Sequence, residues 1–178
     1  MLHHSLKNVF STFLVSPYKL DNNLGIYVVN DRNESVSGTV AVDFVLWKNG
    51  EKAVSLKYPF NVDSLEASEV LGNADIDKKI LNGKAKQEDG VFIVNAISKD
   101  GKIQSENVLF PVSLKSVNLV KSPVSVDSVI KVSENVVDVT ISSTSVCPFV
   151  FLQQSTSSIV GKFDENGILM RPGIKKVI

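Results

Sequence analysis

Residues 39–58, TVAVDFVLWKNGEKAVSLKY, decide the fold class. In an extended chain, Val40, Val42, Phe44 and Leu46 fall on one face, and Ala41, Asp43, Val45 and Trp47 on the other. That is the period-two pattern of a β-strand with one wet face. Lys48 and Asn49-Gly50 follow, and a second run returns through Val54, Leu56 and Tyr58. Asn-Gly between two alternating segments predicts a hairpin, because both residues accept positive φ. The arrangement is repeated downstream, where residues 91–98 run into Lys99 and Asp100-Gly101 and return through Ile103 towards Leu109 and Phe110. Two hairpins with matching turn chemistry predict an antiparallel all-β domain.

Working outward, residues 24–30 (LGIYVVN) form another strand, closed by the polar cluster Asp31-Arg32-Asn33-Glu34-Ser35. Residues 13–18 form a shorter one, with Pro17 marking its end or a sheet edge. A weaker strand around residues 68–76 brings the total to about seven in the first 110 residues, the size of an immunoglobulin-like sandwich. The Cys–Trp–Cys pattern of antibody domains is missing, so only the architecture is implied. A boundary falls near residues 111–116. Beyond it, residues 124–132, 136–142, 148–153 and 174–178 alternate between turns at Ser, Asn and Thr, and at Asn166-Gly167 and Arg171-Pro172-Gly173. About five strands result where a closed sandwich uses roughly seven, so the second domain reads as C-terminally truncated and the chain as a fragment. At the opening of the chain, Leu2, Leu6, Val9, Phe10 and Phe13 have helical spacing. A signal peptide over residues 9–15 competes with that helix, but Ser11 and Thr12 interrupt its apolar run. The expected fold is therefore two immunoglobulin-like antiparallel β-sandwiches in tandem, residues 13–112 and 113–178, after a short N-terminal helix in residues 1–12.

Composition narrows the function classes. The 178 residues carry 19 Lys+Arg against 19 Asp+Glu, a net charge of zero. That removes the electrostatic case for nucleic acid or an anionic membrane as a main partner. No apolar run approaches the roughly 18–20 residues of a membrane span. One Cys excludes an internal disulfide and a multi-Cys metal site. The two His are neighbours, His3 and His4, and diverge by about 100° on a helix, so they make a poor metal pair.

No catalytic, cofactor-binding or metal-ligating set emerges from the remaining residues. Asp63, Glu66, Glu69, Asp75 and Asp77 form a loose acidic stretch, and Asp164-Glu165 are neighbours. A retaining glycosidase holds two carboxyl groups about 5 Å apart across a pocket, whereas neighbours on a strand point to opposite faces. The acidic stretch reads as edge and loop charge, and Asp164-Glu165-Asn166-Gly167 as a turn with solvated carboxylates. A calcium loop begun at Asp75-x-Asp77 fails, because Ile80 stands where Gly is needed and Lys86 where the bidentate Glu belongs. Cys147, between Val146 and Pro148 at the start of an apolar strand, reads as a buried structural thiol with no base to activate it. Asn33-Glu34-Ser35 is an N-glycosylation sequon in a polar turn, which makes Asn33 the one candidate modification site.

Two segments carry a family resemblance. Met1-Leu2-His3-His4, leading to Phe10 and Phe13-Leu14-Val15-Ser16-Pro17, resembles the run that joins the barrel of β-mannosidases to the domain after it, and Ile26-Tyr27-Val28-Val29-Asn30-Asp31 is similar to the family's YVVND strand. His4 stands where that family usually has Tyr. Val146-Cys147-Pro148-Phe149-Val150-Phe151-Leu152, followed by Gly161-Lys162-Phe163-Asp164-Glu165-Asn166-Gly167-Ile168-Leu169, is similar to a motif of the family's final immunoglobulin-like domain. The animal lysosomal enzymes look closest. Cys147, Phe151, Lys162 and Glu165 depart from the motif.

The resemblance implies a non-catalytic C-terminal accessory region that braces a (β/α)8 catalytic domain of the same polypeptide. Residues 1–12 would be the linker helix from that barrel. The parent would release terminal β-linked mannose from oligosaccharides in the lysosome, using two glutamates upstream of residue 1, and no position here matches either. It also implies an unpaired apolar edge around residues 174–178 and exposed Leu2, Leu6 and Phe10. The alternatives are a stand-alone glycan-binding module, with Trp47, Tyr27, Tyr58 and Phe60 as stacking candidates, and an immunoglobulin-like protein-interaction module.

Overall fold

The computed structural model describes residues 10–121, 124–153 and 161–177. The N-terminal helix expected in residues 1–12, with His3, His4, Leu2 and Leu6, lies outside the described residues except at its last positions. There Phe10 is 79% exposed. The described residues form two compact units, one from residues 10–46 and 51–119, the other from the turn Trp47–Gly50 and residues from 120 onward.

Seven strands build the first unit: β1 (Phe13–Leu20), β2 (Asn23–Asn30), β3 (Val36–Leu46), β4 (Lys52–Val62), β5 (Glu66–Asp75), β6 (Gly90–Ser98) and β7 (Gln104–Leu109). They pair antiparallel in two sheets of order β1-β2-β5 and β4-β3-β6-β7. Alternation fills the space between the sheets, with Phe13, Val15, Leu24, Ile26 and Val28 on one side and Val40, Val42, Phe44, Phe92, Val94 and Ala96 on the other. The Phe44 and Phe92 rings meet at 4.8 Å between centroids. The second face of the β3–β6 pair differs from the expected wet surface. Asp43, Val45, Val91 and Ile93 are buried on it, and Trp47, which belongs to the other unit, is buried as well. Asp43 is satisfied there by the Ser55 hydroxyl at 2.6 Å and the Lys52 ammonium at 2.8 Å.

Both hairpins form, and in each one turn residue takes the positive φ expected of both. Only Gly50 and Gly101 take positive φ, at 73° each, while Asn49 and Asp100 do not. Leu46 N donates to Glu51 O in the first loop and Ser98 N to Ile103 O in the second. Asp100 organises the second loop by accepting from the Ser98 hydroxyl and from Lys102 N. β1 continues through Pro17 to Leu20, because β1 is a sheet edge and a missing N–H is tolerated there. Sequence reading missed a single π-helical turn, Ile76–Leu81, that follows β5. Asp75 caps it by accepting from Lys78 N at 2.8 Å, and it buries Ile76, Ile80 and Leu81. Six residues are too few for a helical period to show in the sequence.

Asn30, fully buried, explains the end of the YVVND segment. Its amide donates to the carbonyls of Glu34 and Asp63 at 2.8 and 2.9 Å, and its oxygen accepts from Arg32 N at 3.3 Å. One side chain thus pairs backbone groups of the 31–35 loop that would otherwise be desolvated without partners.

The second unit contains β8 (Val124–Lys131), β9 (Val137–Ser143), β10 (Cys147–Val150), β11 (Ile168–Met170) and β12 (Lys176–Val177). Sheets β12-β9-β8 and β10-β11 are both antiparallel. Among its described residues Ile141, Ile168 and Met170 form a buried cluster, with half-buried Val139, Cys147, Val150 and Leu152 packed on them, and Val146 is buried as well. Cys147 is therefore half-buried and not the fully buried thiol expected, because β10 is short and irregular, with Phe149 at φ 55° between its two paired positions. Among the described residues β12 pairs with β9, and Ile174 before it is 44% exposed. Asn166 acts as a substitute strand partner. Its oxygen accepts from Leu152 N at 2.7 Å and its amide donates to Leu152 O at 2.9 Å, while Gly167 N donates to Val150 O at 3.0 Å. This closure requires Gly167 at φ 71° beneath the Phe151 ring, a physical reason for the Asn-Gly pair of the motif.

Candidate functional site

The outer face of the β1-β2-β5 sheet carries the clearest constellation of exposed functional groups. Alternation along β1 sends Val15 inward and Ser16, Tyr18 and Leu20 outward. The register places Tyr18 opposite Gly25 and Ser16 opposite Tyr27 on β2, and Tyr27 opposite Glu69 on β5. Because Gly25 has no Cβ, the Tyr18 ring can lie across β2; a Cβ at residue 25 would coincide with its Cζ, Cε1 and hydroxyl. The Tyr18 hydroxyl then donates to Glu69 Oε1 at 2.6 Å. Tyr27 stacks beside it, with centroids 5.8 Å apart and planes 30° from parallel, and is 39% exposed.

The bond from the hydroxyl to Glu69 pushes the Tyr18 phenol up to about 12, helped by partial desolvation and the carboxylate's charge. Since the folded value exceeds the ordinary 10, the stabilisation is complete below pH 10 and is lost as pH rises from 10 through about 12. Glu69→Gln is expected to bring the Tyr18 transition down towards 10 in an ultraviolet difference titration. An unchanged high transition in that variant would contradict the assignment.

The other stacking candidates fare differently. Trp47 and Phe60 are buried, and Tyr58 is half-buried, its phenol raised by burial. Of the four, only Tyr27 presents a ring to solvent, and Tyr18 was missed. The available signal was the equal distance of Tyr18 and Gly25 from the turn between β1 and β2, which makes them cross-strand partners.

The acidic stretch is used structurally. Asp63 accepts from the Ser35 hydroxyl, Glu69 from Tyr18, and Asp75 from Lys78 N. Asp77 accepts from Asn22 and Gln87, while Lys19 donates to Gln87 and to the Pro111 carbonyl. Asp164 and Glu165 are exposed residues ahead of Asn166-Gly167. Among the described residues no group of three or more His, Cys, Asp or Glu side chains is placed to hold a metal ion. No helix among them is long and apolar enough to cross a membrane. Asn33 is exposed in the bend between β2 and β3, and the Ser35 hydroxyl of its sequon is bound to Asp63.

The strand order and the two-sheet packing of the first unit define an immunoglobulin-like sandwich, followed by a second, smaller all-β unit. A model of the mannosidase Ig/CBM-like domain matches residues 22–116, and one of an Ig-fold domain matches residues 119–178. The chain belongs to the mannosidase Ig/CBM-like domain family. It is 27% identical over 183 residues to a probable beta-mannosidase of Caenorhabditis elegans, covering 99% of this chain and 20% of the worm protein. Against beta-mannosidase A of Aspergillus clavatus it is 25% identical over 191 residues, covering 100% and 20%.

Among solved structures, the β-D-mannosidase of Dictyoglomus thermophilum matches with a TM-score of 0.68 at 18% identity, over 98% of this chain and 20% of that one. The exo-chitosanase CsxA of Amycolatopsis orientalis matches with a TM-score of 0.60 at 14% identity, over 98% and 24%. These two likenesses are of fold. The chain spans about a fifth of the length of the relatives it matches, and it is homologous to the C-terminal part of β-mannosidases.

Proposed function

We propose that this chain is the non-catalytic C-terminal accessory region of a β-mannosidase and braces the enzyme's catalytic domain. In this reading a (β/α)8 domain of the same polypeptide removes terminal, non-reducing β-D-mannose from oligosaccharides. Residues 1–12 lead from that domain, and residues 13–112 and 113–178 form the two sandwiches. One observation carries the reading: two immunoglobulin-like family models, one of them the mannosidase type, follow each other along a chain that aligns end to end with only 20% of each β-mannosidase relative. The structural employment of Asp63, Glu69, Asp75 and Asp77 supports it, since a glycosidase needs a facing pair of carboxyl groups free for acid and nucleophile work. By the same family resemblance the parent works in the lysosome, and on passage through the secretory route the sequon at Asn33, exposed on its bend, would take an N-glycan.

The purified 178-residue chain is expected to release no chromophore from an aryl β-mannoside above the buffer rate. Turnover that follows the folded chain through purification and disappears on heating would overturn the reading.

A further inference from the structure

We propose that the outer face of the β1-β2-β5 sheet, at Tyr18, Tyr27 and Glu69, is a carbohydrate-stacking site for one hexopyranose unit of a neutral oligosaccharide. The proposal stands on this face alone and holds whether or not the chain serves as an accessory region.

A pyranose presents an apolar face of C–H groups and a rim of hydroxyls. Its complement is an exposed aromatic ring beside a hydrogen-bonding group of fixed orientation. Tyr27 supplies the ring, 39% exposed and held against Tyr18 at 5.8 Å. Glu69 supplies the acceptor. Its Oε1 is taken by Tyr18 at 2.6 Å, and Oε2 stands above Gly72, 2.8 Å from where a Cβ there would lie. That second oxygen is positioned to accept from a sugar hydroxyl, and a carboxylate there disfavours acidic sugars. Both tyrosine rings are fixed by packing before a ligand arrives, which lowers the ordering cost of binding.

Covering Gly25 is a sufficient structural reason for Tyr18, as aromatic side chains commonly shield glycines in sheets. It gives no reason for Tyr27, which covers no glycine and faces outward. The hydroxyl bond from Tyr18 across β2 to β5 orients Glu69 as well as shielding Gly25, so Tyr18 acts here as a positioning residue.

The test is a titration of the full 178-residue chain with β-1,4-mannotriose, followed by NMR of the tyrosine ring protons, with thermal melts of every variant. The expected result is a saturable shift of the Tyr27 ring signals. Tyr27→Ala weakens binding about tenfold, within the range of one ring stack, Tyr27→Phe restores it, and Glu69→Gln weakens it severalfold, all at wild-type melting temperature. Tyr58→Phe, on the other sheet, leaves it unchanged. Absence of a saturable shift, or unchanged affinity in folded Tyr27→Ala and Glu69→Gln, would overturn the proposal. Neither result bears on aryl mannoside turnover, so the two readings fail separately.

Discussion

Phe44→Ala is expected to lower the stability of the first sandwich by about 3–5 kcal/mol, close to the whole stability of a small domain. Phe44 is fully buried at the centre of β3, opposite Val54 on β4 and Phe92 on β6. Truncation removes its contact with the Phe92 ring at 4.8 Å and opens a cavity that strands fixed on both sides cannot collapse into. Urea unfolding followed by circular dichroism measures the loss. Lys57→Ala, exposed on β4, serves as the control and should change stability by less than about 0.5 kcal/mol. A loss below about 1 kcal/mol for Phe44→Ala would mean that this residue does not sit in the core described here.

Gly38→Ala is the second large effect, and it acts through the backbone. Gly38 lies within β3 between Phe60 on β4 and Ser98 on β6. A Cβ there would collide with the Ile97 carbonyl oxygen and lie 2.9 Å from Ile97 C and Phe60 Cε1. Both carbonyl atoms belong to a paired strand and cannot swing aside, so overpacking costs about 1–3 kcal/mol. Gly101→Ala, by contrast, meets nothing within 4 Å and is strained only by its φ of 73°. A D-alanine at residue 101 should therefore be tolerated, whereas at residue 38 the clash is one of space and not of φ sign. Equal stability of Gly38→Ala and the parent chain in the same urea experiment would contradict the close approach of β3 and β6.

The best-marked strands of the first unit were legible from alternation, as in Val40, Val42 and Phe44 of β3, whereas β5 buries only Ala74 and β7 no side chain fully. Asn49-Gly50 and Asp100-Gly101 located the hairpins, although turn type was not legible. Turn type depends on how the flanking strands meet as well as on the residue pair. The wet face assigned to Asp43, Val45 and Trp47 was misread, since alternation reveals two faces and does not say which neighbours cover each. The helical turn at Ile76–Leu81 is too short to carry a period. The Tyr18–Tyr27–Glu69 face escaped because it joins three strands. Two of its members meet through the β1–β2 register, and the third through a strand some forty residues later. In the second unit, β8 reads as a strand from its valines, yet Val126, Val129 and Ile130 remain 57%, 63% and 58% exposed. A pattern shows that a strand has an apolar face, and it does not supply the surface that buries it.

The most direct test of the accessory-region account is the sequence of the full-length transcript across residue 1. The account predicts an open reading frame continuing upstream into a (β/α)8 barrel with two glutamates placed as acid/base and nucleophile. An in-frame stop codon shortly before Met1, with no barrel joined to the chain by splicing, would contradict it.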